Sequence, residues 1–212
     1  MNFYLKSFYL LKFLKLLLSV DKLETFEVSG APEDIGFAIG QIDADLIQKQ
    51  VLQLAEFRET ERTWQSRSYL QELFTEARYV FPEYFLELES MVNVAQVEFE
   101  LFLIWNCRGD LPMSDDAISE SAKHSPEGCT TLLYPAAKSS VAVIAHNEDG
   151  PPELDGHCSC FSVRQENGSK FSTFHYPGML PGHTLSVNSH GLVQTINNIR
   201  VDDLQSGIPH WC

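Results

Sequence analysis

The chain has 212 residues, 44% of them apolar and 21% charged, with a net charge of −14. That is the composition of a globular chain long enough for one sizeable domain, not of a disordered one. The acidity, with no cluster of Lys and Arg, excludes a nucleic-acid partner.

The first 22 residues are apolar and basic, but Lys6, Lys12 and Lys15 interrupt the apolar run. Three lysines argue against a membrane span, and no clean signal-peptide core or cleavage site is present. The segment reads as an N-terminal extension, with a basic amphipathic helix on a surface as the alternative. No membrane partner is expected, apart from contact through this extension in the alternative reading. Leu23 to Val28 alternates as a strand. Pro32, followed by Glu33 and Asp34, opens a helix whose apolar positions Ile35, Ile39, Ile42, Leu46 and Ile47 continue to Val51, Leu54 and Phe57. Gly36 and Gly40 share one face of it and invite close approach by another element. Residues 58 to 68 are polar and read as a turn. Further helices follow from Leu70 to a break at Phe81-Pro82, from Glu83 to Val94, and from Glu98 to Cys107.

Arg108 to Glu127 is polar and reads as an exposed linker. Beyond it come short strand-like runs at 132–134, 140–145, 158–164, 170–176, 183–187 and 192–196, separated by turns such as Glu166-Asn167-Gly168. Helices followed by strands predict an α+β fold in layers. The expected organisation is an extension (1–22), a mostly helical segment (23–128) and a β-rich core (129–212).

Five cysteines without a framework spacing, Cys107, Cys129, Cys158, Cys160 and Cys212, read as free thiols and point to a cytoplasmic location. Cys107, Cys158 and Cys160 are expected in the core. His124, His157 and His175 have no metal-ligand spacing, so no metal or cofactor is expected. Asn167-Gly168-Ser169 is a glycosylation sequon, relevant only to a secreted chain.

Gly128-Cys129-Thr130-Thr131 places a thiol where the linker enters a strand. Cleavage of the Gly128–Cys129 bond would put the thiol and a new α-amine on one residue, uniting nucleophile and general base. The amine's ordinary pKa of about 7.7–8.0 suits it to accept a proton at neutral pH. A cysteine entering a strand is also an ordinary core residue, and both readings stand on the tetrapeptide alone. His146-Asn147-Glu148-Asp149 ends the next apolar strand. If the two strands form a hairpin, Asp149 approaches Cys129; alternatively the segment is only a turn.

Glycine-Cys129 with Thr130-Thr131, an apolar strand and His146 to Asp149 resembles the cysteine N-terminal-nucleophile hydrolases grouped with isopenicillin N acyltransferase. The similarity begins at Val28 to Gly36 and Gly40 and continues through Phe81 to Tyr84 and Glu87 to Glu89. It extends over Pro177 to His183, Asn188 to Leu192 and Ile196-Asn197, where it is similar to the insect β-alanyl-amine hydrolase branch. The resemblance implies an αββα sandwich, autocatalytic cleavage at Gly128/Cys129, and action on an amide C–N bond of a small-molecule substrate. It further implies a heterodimer of the cleaved subunits. Cys129 corresponds to the nucleophile and Asp149 to the family's acid. Asn197 and His146 are implied to bind substrate, and His146 replaces an arginine of the wider group. Asn188 and His190 are expected to organise the turn at Gly191. The family's oxyanion asparagine lies beyond the region matching Gly207-Ile208-Pro209, so the chain is expected to be C-terminally truncated. The alternatives to hydrolysis are acyl transfer within the same family and an inactive truncated remnant.

Overall fold

A computed structural model describes residues 23–64, 68–111, 129–136, 142–197 and 208. The expectations for residues 1–22, for most of the linker including Gly128, and for Cys212 lie outside these residues.

The molecule is α+β. Strand β1 (Glu24–Gly30) leads into α1 (Pro32–Lys49), α2 (Ala55–Trp64), α3 (Ser68–Val80), α4 (Pro82–Ala95) and α5 (Phe99–Asn106). Among the described residues six strands follow: β2 (Thr130–Tyr134), β3 (Val143–Asn147), β4 (Ser159–Gln165), β5 (Lys170–His175), β6 (Ser186–Asn188) and β7 (Val193–Gln194). Five strands form one sheet in the order β1-β4-β5-β6-β7, and β2 and β3 form a separate hairpin. β1 pairs parallel with β4 over seven residues, Glu24 opposite Ser159 through Gly30 opposite Gln165, whereas the remaining pairs are antiparallel.

The helices cover one face of the sheet. Period-2 alternation turns Val28, Phe161 and Val163 into the core formed with Ile35, Ile39, Phe85, Leu88, Phe102 and Trp105. The opposite face carries polar residues, with the Ser162 and Ser172 hydroxyls 3.1 Å apart. α1 opens as its sequence dictates: Pro32 occupies the first turn and the Asp34 carboxylate accepts the Ala31 N–H at 3.1 Å. Gly36 and Gly40 allow α4 to lie against α1. A methyl group at Gly36 would fall 1.9 Å from the Glu87 carbonyl oxygen, and one at Gly40 2.6 Å from that of Met91.

Two expectations fail in the first half. α1 stops at Lys49 instead of running to Phe57; Val51–Gln53 form a 3-10 turn and Leu54 is extended. The apolar spacing persists across the break because Val51, Leu54 and Phe57 are all buried in the same core. Residues 58–64 are helical, not a turn. Their polar side chains are the solvent face of α2, as the Arg62–Glu59 ion pair at 2.6 Å shows. The linker's first residues are also structured: Arg108–Asp110 form a 3-10 turn and Leu111 is buried.

Glu87 lies in the α1–α4 contact, and its Oε1 has no hydrogen-bond partner among the described residues. Burial pushes its carboxyl from 4.5 up to about 8. A folded pKa above the unfolded one gives stability that is full below about pH 4.5 and is lost as pH rises through about 8. Urea unfolding across this range should show that fall. Glu87→Gln should flatten it and gain roughly 4–5 kcal/mol above pH 8. Gly36→Ala should lose about 3 kcal/mol or more in the same assay, because the obstruction is backbone and cannot rotate away.

Candidate active site

The site is built at the open end of the β2–β3 hairpin. Thr130 pairs with Asn147 and Thr131 with His146. Extending this ladder by one residue sets Cys129 opposite Glu148. Side chains alternate between faces, so Cys129, Thr131, His146 and Glu148 share one face, while Asn147 and Asp149 turn to the other. The contacts agree. Cys129 Sγ, a His146 ring nitrogen and a Glu148 carboxylate oxygen lie within 4.8 Å of one another. His146 Nε2 is 3.0 Å from Glu148 Oε2, and its Nδ1 is 2.9 Å from the Thr131 hydroxyl. Asp149 is exposed and accepts a hydrogen bond from Asn147 Nδ2 at 2.6 Å.

Asn197 joins the cluster from beyond β7. Its Oδ1 accepts the Thr131 hydroxyl at 2.7 Å, and its Nδ2 donates to the Cys129 carbonyl oxygen. Of the residues expected from the sequence, Cys129, His146 and Asn197 are thus linked through Thr131. Asp149 stands on the opposite face of the hairpin, and Gly128 lies outside the described residues.

Sequence reasoning assigned no role to Thr131, Glu148 or Tyr176. The first two were visible in the hairpin pattern once its register was known. Tyr176 follows β5 and is buried, with its hydroxyl 3.5 Å from Glu148 Oε1. It reaches there because residue 150 is glycine: a Cβ at Gly150 would lie 2.1 Å from that oxygen. Burial raises the tyrosine's pKa, helped by the negative charge of Glu148, Cys158 and Cys129 and opposed by Arg108. Tyr176 is therefore a neutral donor at physiological pH.

The other thiols among the described residues are poor nucleophiles. Burial first, then Asp155 and Glu148, push Cys158 up to about 12; burial also raises Cys160, and Cys107 is fully buried. The turn at Gly191 is organised as expected: Asn188 Oδ1 accepts the N–H groups of His190 and Leu192, each at 3.0 Å.

The loop carrying Tyr176 is fixed from the helical layer. Asp43 Oδ2 in α1 accepts His175 Nε2–H at 2.7 Å and Gly178 N–H at 3.0 Å. Asn106 in α5 donates to the Gly178 carbonyl at 3.1 Å and accepts Leu180 N–H at 2.9 Å. Asp43 and His175 are almost fully buried.

Residues 136–212 match the sequence model of the family described as acyl-coenzyme A:6-aminopenicillanic acid acyl-transferase. His146, Asp149 and Asn197 fall inside the match, and Cys129 lies seven residues before it. The beta-alanyl-dopamine/carcinine hydrolase of Drosophila melanogaster is 27% identical over 195 residues, covering 84% of this chain and 49% of the relative. The chain thus spans about half the length of the curated relative it matches. No described helix is long and apolar enough to cross a membrane.

Removing the buried Asp43 carboxylate leaves His175 and Gly178 N–H groups without an acceptor. Asp43→Ala should cost roughly 3–5 kcal/mol in urea unfolding, and Asp43→Asn, which keeps one acceptor, distinctly less.

Proposed function

We propose that the chain is a thiol amidohydrolase of the N-terminal-nucleophile type, acting through Cys129 after autocatalytic cleavage of the Gly128–Cys129 bond. The observation that carries this reading is the convergence of Cys129 with His146 and Glu148 at a strand entrance, directly upstream of the matched domain. The Cys129 thiolate attacks the amide carbonyl carbon. The C–N bond then breaks, the amine leaves with a proton, and the acyl group remains on sulfur as a thioester. Water, deprotonated by the freed α-amine of Cys129, attacks the thioester and releases the acid. Asp149 holds the α-ammonium group that forms in this cycle, and His146 and Asn197 contact the substrate. The named substrates of the Drosophila relative make a small β-alanyl amide the first to try.

The proposed fold is the αββα sandwich. The helices and the five-stranded sheet supply one α and one β layer. The β2–β3 hairpin, with exposed Leu132, Leu133, Tyr134 and Val143, begins the second β layer. The subunits produced by cleavage stay together as a heterodimer, because β1 pairs with β4 and Asp43 with His175 across the cleavage point. Free thiols at Cys107, Cys129, Cys158 and Cys160 support a cytoplasmic location. Acyl transfer is the second reading, favoured by the description of the matched family. In it an amine, not water, takes the acyl group from the same thioester.

Mass spectrometry of the purified protein should show two chains separating at Gly128/Cys129. Cys129→Ala should stay a single chain and lose amide hydrolysis by roughly 10⁴-fold or more. An intact chain that retains activity after Cys129→Ala contradicts the reading.

A further inference from the structure

We propose that Cys129, His146 and Glu148 form a site for a soft divalent cation, of the kind that zinc represents, which caps the Cys129 sulfur. The hydrogen-bond directions lead there. Asn197 Nδ2 donates to the Cys129 carbonyl, so its Oδ1 faces Thr131 and takes the single hydroxyl proton of that residue at 2.7 Å. Thr131 Oγ1 then has only lone pairs to offer His146 Nδ1 at 2.9 Å, so the ring proton sits on Nδ1. With the proton there, a neutral ring offers Glu148 Oε2 the Nε2 lone pair, at 3.0 Å. Two acceptors at that separation, with a thiol beside them, require a cation between them. It is either a second ring proton or a metal ion.

The surroundings suit the metal. Metal-binding imidazoles and carboxylates are held through their far atoms, which fixes the tautomer and the direction of the near ones. Here Thr131 holds Nδ1 and the Tyr176 hydroxyl approaches Glu148 Oε1 at 3.5 Å, leaving Nε2 and Oε2 facing each other, with Cys129 Sγ within 4.8 Å of a ring nitrogen and a carboxylate oxygen. Sulfur, nitrogen and one carboxylate oxygen are zinc-type donors, whereas magnesium and calcium take oxygen. Bonds of about 2.3 Å to sulfur and about 2.0–2.1 Å to nitrogen and oxygen imply donor separations of roughly 3.4–3.6 Å. The Nε2–Oε2 pair, at 3.0 Å, must open by a few tenths of an ångström, and Cys129 Sγ, within 4.8 Å, must draw in by at most roughly 1.3 Å. Glu148, whose side chain is 22% exposed, has room to make that movement. The thiolate and carboxylate neutralise the dication, and the fourth tetrahedral position stays open to water.

On binding, the S–H proton passes to solvent and a sulfur–metal bond forms with no change of oxidation state. The sulfur lone pair is then engaged. If Cys129 is the nucleophile proposed above, the bound ion reversibly blocks it; the binding itself does not depend on that reading.

Cobalt(II) added to the reduced 212-residue protein is the direct test. One equivalent should produce a sulfur-to-cobalt charge-transfer band, displaced by zinc. Cys129→Ser should abolish the band, and His146→Ala and Glu148→Gln should each weaken binding about tenfold or more. Thr131→Val, which keeps a β-branched strand residue, should weaken it about tenfold by releasing Nδ1. Far-ultraviolet circular dichroism confirms that each variant is folded. No saturable band, or a band that persists in Cys129→Ser, overturns the site. A band together with absent amide turnover after the metal is chelated sinks the hydrolase reading and leaves the metal site standing.

Discussion

The buried Asp43 carboxylate is the constraint on which the arrangement of this molecule rests. It sits inside α1 and accepts N–H groups from His175 and Gly178, both more than 130 residues later in the chain. An uncompensated carboxylate at that depth would cost several kcal/mol, so the end of β5 and the loop after it must come to α1. Asn106 makes a second tie to the same loop from α5. Tyr176, between these anchors, is thereby set against Gly150 and Glu148. The helical layer thus reaches the chemistry through a short rigid loop, not through any residue of its own in the cluster.

The second constraint is register. A β-hairpin presents alternate residues to opposite faces, and a shift of one residue exchanges the faces entirely. The Thr131–His146 pairing puts Cys129, His146 and Glu148 together and sends Asp149 to the other side. Two acidic neighbours in the sequence therefore have different surroundings. Glu148 is held among His146 and Tyr176, whereas Asp149 is exposed beside Asn147. The thiol thus has an imidazole and a carboxylate beside it, and a second carboxylate stands on the other face.

Features governed by local chemistry were legible in the sequence. Pro32 and Pro82 begin helices, Gly36 and Gly40 admit a neighbouring helix, and Asn188 builds the turn at Gly191, each for a reason contained within a few residues. The break after Lys49 was hidden because the residues on its two sides point into one core. Asp43 and Asn106 looked like unremarkable polar interruptions in helices, since their partners are distant in sequence. The position of Cys129 at the entrance of a strand was legible, but Glu148 could be told from Asp149 only with the hairpin register in hand.

The claim at the centre of this account is that Cys129 carries the acyl group. Brief reaction with an activated ester of β-alanine, followed by peptide-level mass spectrometry, measures this most directly. The account predicts a single hydroxylamine-sensitive acyl adduct on Cys129, absent from Cys129→Ala. An adduct on another residue that persists in Cys129→Ala would contradict it.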